Sequence, residues 1–141
     1  MPATAPPKPY GTKALGEGVE AIAPDGTAVR LLLSLAGGSM AHFELPAGAV
    51  SHAVTHRTVE EIWFIVSGRG GIWRRRDDVE SIDPLGPGTS LTIPLGTAFQ
   101  FRADSGSALT FVAITMPPWP GMDEAMAVQG PWAPTVAAGS P

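Results

Sequence analysis

The stretch that decides the architecture runs from Gly48 to Gly68 and reads GAVSHAVTHRTVEEIWFIVSG. Glycines close it at both ends, where a chain free of Cβ can turn a corner, and the short apolar run between them has the length of a strand. On a strand, residues two apart point to the same face and lie about 6.6 Å apart, close enough for two imidazoles to meet on one ion. Val54 and His56 stand in that relation. Glu61, on the following strand, shares a face with Trp63 and Ile65 if Glu61 to Ser67 is regular.

Outward from this stretch, Gly and Pro punctuate a series of short apolar runs, which predicts strands at Val29 to Leu35, Ser39 to Leu45, Glu61 to Ser67, Gly71 to Arg76, Ser90 to Ile93, Ala98 to Arg102 and Leu109 to Met116. No segment offers a long amphipathic helix. Strands this short, recurring with turn residues between them, fit an all-β sandwich or closed barrel better than an α/β sheet. A chain of 141 residues is the size of one domain. The expected division is an N-terminal arm over residues 1–20, Pro-rich in its first ten, a barrel over 21–116, and a C-terminal segment over 117–141. That segment carries PPWPG and GPWAP and is expected to lack regular structure, with Trp119 and Trp132 anchoring it on the barrel.

Composition excludes several function classes. There is no cysteine, so thiolate metal sites, disulfides and cysteine nucleophiles are ruled out, and any metal needs His or carboxylate ligands. A net charge of -4 disfavours nucleic acid and anionic membranes as partners. No apolar run reaches a signal-peptide core or the roughly 20 residues of a membrane span, so a cytoplasmic protein is expected. Serine-nucleophile, phosphate-loop and zinc-finger patterns are lacking.

The opening stretch resembles the first cupin motif, G(X)5HXH(X)3-4E(X)6G, with Gly48, His56, Glu61 and Gly68 in register and Val54 at the first histidine position. Downstream, GTSLTIPLGTAFQFRA resembles the second motif, G(X)5PXG(X)2H(X)3N; Gly88, Pro94 and Gly96 fit, while Phe99 and Ala103 replace the histidine and asparagine. The resemblance spans roughly residues 30 to 116. It implies a small single-domain cupin of the type-2 kind: a jelly-roll β-barrel, or double-stranded β-helix, like RmlC. It also implies that Val54, His56, Glu61, Trp63, Phe99 and Phe101 line the interior, where cupins hold their ligands, and that two chains pair as a homodimer through sheet edges and arms.

Two of the four usual metal ligands are therefore replaced, and His56 with Glu61 supply fewer ligands than a structural zinc or a facial-triad iron requires. His52 shares the parity of His56 but lies about 13 Å along a regular strand. His42 sits on the strand before, on the side opposite Phe43 and Leu45, and alternation does not decide whether that side is inside. Glu60 and Gln100 have outward parity. The run Arg74, Arg75, Arg76, Asp77, Asp78 reads as a solvated hairpin tip with compensating charges. The aromatic residues, Trp73 and Phe111 included, are first of all barrel core.

Three readings of His56 and Glu61 follow: a buried relic pair, an acid and base pair in which the carboxylate raises the imidazole's basicity, or a weak divalent transition-metal site completed by His42, His52, water or substrate. The expected functions correspond. First stands a metal-independent acid/base enzyme of isomerase, epimerase, cyclase or lyase type, with Val54, Trp63, Phe99 and Phe101 shaping an aromatic pocket for a small molecule. A non-catalytic ligand-binding or sensing barrel is second, and a metal-dependent cupin oxygenase third.

Overall fold

A computed structural model describes residues 7–139; the first six residues of the N-terminal arm and the last two of the C-terminal segment lie outside the described residues. Eleven strands follow in chain order: β1 (Ala21–Ile22), β2 (Ala28–Leu35), β3 (Gly38–Leu45), β4 (Val54–His56), β5 (Glu60–Ser67), β6 (Gly70–Arg76), β7 (Val79–Leu85), β8 (Ser90–Ile93), β9 (Ala98–Ala103), β10 (Leu109–Met116) and β11 (Ala125–Ala127). They form two antiparallel sheets, in the orders β1-β2-β3-β10-β5-β8 and β11-β4-β9-β6-β7. Chain neighbours land in opposite sheets at β3/β4, β4/β5, β5/β6, β7/β8, β8/β9, β9/β10 and β10/β11, which is the jelly-roll arrangement. Among the described residues no helix is long and apolar enough to cross a membrane.

The alternation that defines strands sets the core. On β5, Glu61, Trp63 and Ile65 are buried while Glu60, Ile62, Phe64 and Val66 are exposed. Leu45, Ile72, Phe99, Phe101, Leu109 and Phe111 meet them from the other strands. All four signature glycines, Gly48, Gly68, Gly88 and Gly96, have φ between 73° and 87°, the left-handed region that a side chain penalises. At Gly68 a Cβ would also collide with the Ala108 carbonyl, so this corner admits no other residue unchanged.

Four strands escape the sequence expectation. β1 and β11 are two and three residues long, and β4, though its residues were placed by parity, is also only three. β7 is full-length but contains Pro84 and Asp83, which read as breakers; it is tolerated because β7 is the outer strand of its sheet, where a missing amide donor costs no ladder bond. The two-residue turn that joins it to β6 places the hairpin tip at Asp77 and Asp78, with Asp77 at φ 56°.

The C-terminal segment also departs from expectation, since it contains a 3-10 turn (Met122–Glu124) and β11, which pairs with β4. It then wraps the second sheet from outside. Trp132 packs with Ala53, Trp73 and Ala98, and the Arg102 guanidinium lies 4.1 Å above its ring centre. Gln100 does point away from the barrel interior, but the expected surface position is corrected: the residue is fully buried under this wrap. Its amide donates to the Ser51 and Trp132 carbonyls at 2.8 Å each and accepts from the Trp132 amide at 3.1 Å, so no part of it is left unpaired.

Candidate functional site

A cavity of about 470 Å³, a size ordinary for small-molecule sites, is lined by residues of both sheets and of the C-terminal segment. Its walls are largely carbon: Val29, Leu31, Phe43, Val54, Trp63 and Phe111 from the sheets, with Trp119 and Met122 from the C-terminal segment. His56 and Glu61 form its polar corner. Val54 and Phe99 are direct partners across β4 and β9, so both displaced histidine positions fall beside His56 as the motif alignment requires.

Not all expected wall residues reach the cavity. Val54 and Trp63 do, whereas Phe99 and Phe101 lie behind them, packed edge-on against Trp63 with centroids at 5.8 and 5.0 Å. Phe99 also meets the edge of the His56 ring at 5.3 Å. These two rings support the site rather than line it. The outlying histidines are separated from it. His42 points to the outer face of its sheet, opposite Phe43, and its buried Nδ1 has no partner. His52 pairs at 2.6 Å through Nε2 with the Val136 carbonyl of the C-terminal wrap.

The structure brings Glu61 Oε1 to 3.4 Å from His56 Nδ1, and the Trp63 indole donates to Glu61 Oε2 at 2.6 Å. The His56–Glu61 approach lies within ion-pair range, yet Nδ1 makes no hydrogen bond. Burial penalises charge on both partners. It pushes Glu61 up to about 8, with the Trp63 bond opposing and the Asp25 charge assisting, and pushes His56 down to about 4, against the attraction of Glu124. Both effects favour neutral forms, so a carboxylic acid faces a neutral imidazole. The expected rise in His56 basicity is thus reversed, because desolvation outweighs the neighbouring acid.

Three residues were missed by sequence reasoning. Asp25, in the turn between β1 and β2, lines the same cavity; its Oδ1 accepts from the Thr27 amide and hydroxyl at 3.0 and 2.6 Å, and burial raises its carboxyl. Glu124 accepts from the amide and hydroxyl of Thr58 and from the Val59 amide, fixing the loop between His56 and Glu61. Burial alone would raise the Glu124 carboxyl, but those bonds hold it below the usual range. Trp119, foreseen only as an anchor, lies edge-on to His56 at 5.2 Å, with its amide bonded to Ser39 Oγ. An Asp-Gly pair reads as a turn, and a Glu 63 residues beyond Glu61 reads as surface, so no local signal marked either acid.

A metal does not fit. Among the described residues no three His, Cys, Asp or Glu side chains converge, and the two positions that would complete a site carry the hydrocarbon side chains of Val54 and Phe99.

No protein-family model matches the chain, and no curated protein matches it. Solved structures do, and they share the cupin fold. The capsular polysaccharide assembling protein CapF from Staphylococcus aureus superposes with a TM-score of 0.66 at 15% identity, over 80% of this chain and 35% of that one. Oxalate decarboxylase from Bacillus subtilis gives 0.68 at 14%, over 84% and 33%. The chain thus spans about a third of each. A variant of PAC13 from Streptomyces, solved with uridine, gives 0.64 at 12% over 84% of this chain and 92% of its own. At such identities the shared property is the fold, so the architecture here is the cupin jelly roll.

Proposed function

We propose that this chain is a small single-domain cupin of the type-2 kind that binds a small molecule in the barrel and moves a proton to or from it without a metal, the chemistry of an isomerase, epimerase, cyclase or lyase. One observation carries the reading: a buried imidazole nitrogen without a hydrogen-bond partner lies 3.4 Å from an acid whose proton burial retains, and both line an apolar cavity. A side chain with an unmet buried polar atom is costly as mere packing.

The roles follow from the proton inventory. With Glu61 protonated, its Oε1 hydroxyl is the donor nearest Nδ1, and closing that 3.4 Å gap when a guest binds would set the proton of the neutral ring on Nε2, the nitrogen left for the guest. As Nε2 gives its proton to the guest, Nδ1 takes the one on Glu61, and the carboxylate that remains keeps the Trp63 indole bond. The reverse sequence removes a proton from the guest. Trp119 lies edge-on to His56 at 5.2 Å and Met122 adds further apolar wall to the same cavity.

The test is solvent deuterium incorporation at the carbon next to the carbonyl of a bound ketone, followed by NMR in the parent, His56→Gln and Glu61→Gln. Parent-only exchange supports the reading. Bound ketone that exchanges equally in all three, or not at all, overturns it and leaves the ligand-binding barrel, a reading favoured by the continuous carbon wall of the cavity.

We further propose a homodimer. Met40, Ile62, Phe64, Val66 and Ile114 are all exposed on the outer face of the six-stranded sheet, adjoining through the β3/β10 and β10/β5 registers. An exposed apolar patch of this kind on the outer face of a sheet supports its being covered by a second copy.

A further inference from the structure

The cavity holds acids but no permanent cation. Among the described residues that line it there is no Lys and no Arg, while Asp25 and Glu61 both face it. Its other polar groups are largely engaged with one another. Ser39 and Thr115 share a hydrogen bond of 2.5 Å, the Trp119 amide holds Ser39, and Thr27 holds Asp25. Asp25 Oδ2 and the Ser34 hydroxyl also lie on the wall, but the paired polar groups that meet a guest together are those of the His56–Glu61 corner, set in a chamber of hydrocarbon and aromatic surface.

Charge then discriminates among guests. A phosphate or carboxylate entering this chamber would lose its water and meet two acids in place of a counter-charge, a placement that costs several kcal/mol even after relaxation. An ammonium would find carboxyl groups, but only after stripping their protons and its own water, and buried ion pairs formed at that cost gain little. An uncharged molecule forfeits only the hydration of one oxygen, which the corner replaces with a hydrogen bond.

Resting on the acid/base reading above, we infer that the guest of this cavity is an uncharged, carbon-rich molecule with one hydrogen-bond-accepting oxygen, such as a ketone, enone or lactone, and not a phosphorylated, carboxylated or ammonium compound. The oxygen is held at His56 Nε2 and the carbon skeleton lies against Val54, Trp63 and Phe111. Retention of the Glu61 proton, which burial favours, keeps this end of the cavity a donor at neutral pH.

Three probes of one skeleton test the inference on the unmodified full chain: 2-acetonaphthone, 2-naphthoate and 2-naphthylmethylammonium, titrated by calorimetry at pH 7 in two buffers of different ionisation enthalpy. The ketone should bind at least about tenfold more tightly than either ion, with no buffer-dependent heat from proton exchange. Naphthoate should gain affinity as the pH falls toward its own pKa. An ion that matches or exceeds the ketone overturns the inference, as does a ketone that fails to bind up to its solubility. Ketone selectivity without His56-dependent deuterium exchange would instead sink proton transfer and leave the guest class standing, so the two failures are distinct.

Discussion

Replacing Glu61 with glutamine keeps the shape and the acceptor for the Trp63 indole while removing the ability to ionise. In the folded chain burial pushes the Glu61 carboxyl from 4.5 up to about 8. A group raised in this way contributes stability that is fully present below its unfolded value and is lost as the pH climbs through the folded one, because the unfolded chain ionises first. The loss runs at about 1.4 kcal/mol per pH unit, and across the window from 4.5 to about 8 it reaches roughly 5 kcal/mol. His56, pushed from 6.5 down to about 4, acts oppositely: its stability is lost as the pH falls through that window. Between pH 4.5 and 6.5 the two slopes cancel in the parent, and above 6.5 the Glu61 loss stands alone. Urea unfolding of the parent and Glu61→Gln at pH 5, 6, 7, 8 and 9 reads the difference directly. Glu61→Gln should gain on the parent by about 1.4 kcal/mol per pH unit from pH 5 to 8 and then level off. A difference that is flat, or that shrinks as pH rises, means that burial does not hold the proton on Glu61, and the neutral pair is refuted; shrinkage in particular points to a carboxylate paired with His56⁺.

Four further outcomes are expected. Elemental analysis of the untagged protein should find well under one tightly held transition metal per chain; stoichiometric iron, nickel, zinc or manganese surviving chelator would contradict the ligand count. Val54→His with Phe99→His should complete a four-ligand site with His56 and Glu61, cost the apo protein about 3 kcal/mol through lost ring burial, and recover part of that in a zinc-dependent rise in Tm that neither single change gives. Glu124→Ala should strip acceptors from the Thr58 and Val59 amides and lower stability by about 1 to 3 kcal/mol, seen as a drop in Tm with the far-UV spectrum retained. Phe64→Glu should give a monomer by light scattering where the parent is a dimer, because a carboxylate at the centre of the outer apolar face would have to be desolvated in the pair.

The barrel was legible because its signals are local. Gly48, Gly68, Gly88 and Gly96 mark corners whose backbone demands glycine, parity put Val54 with His56 and Glu61 with Trp63 on shared faces, and the motif resemblance implied that those faces are the inner ones. Seven strands were read to within one residue at either end, since runs such as LTFVAITM carry their own period. What failed was whatever depended on distant chain. Pro84 looks like a breaker until β7 is known to be an edge. Gln100 looks like surface until Trp132 arrives to cover it. Asp25 and Glu124 reach the His56 corner from outside both motifs, and the sign of the pair's electrostatics follows from burial, a property of the assembled walls.

The wrap of the C-terminal segment also bears on the order in which the molecule is made. Strands β2 to β10 can close their two sheets once residue 116 has been synthesised, but β4 then still has a bare edge and His56 lacks Trp119 and Glu124 around it. The corner around His56 and Glu61 is therefore completed by a stretch translated after both sheets, one that belongs to neither sequence motif. Until that stretch docks, the nascent barrel has an open mouth and a strand edge ready to pair with a neighbouring chain. Folding yield at high expression should accordingly be governed by residues 117–139, far more than by the hydrophobic walls they close over.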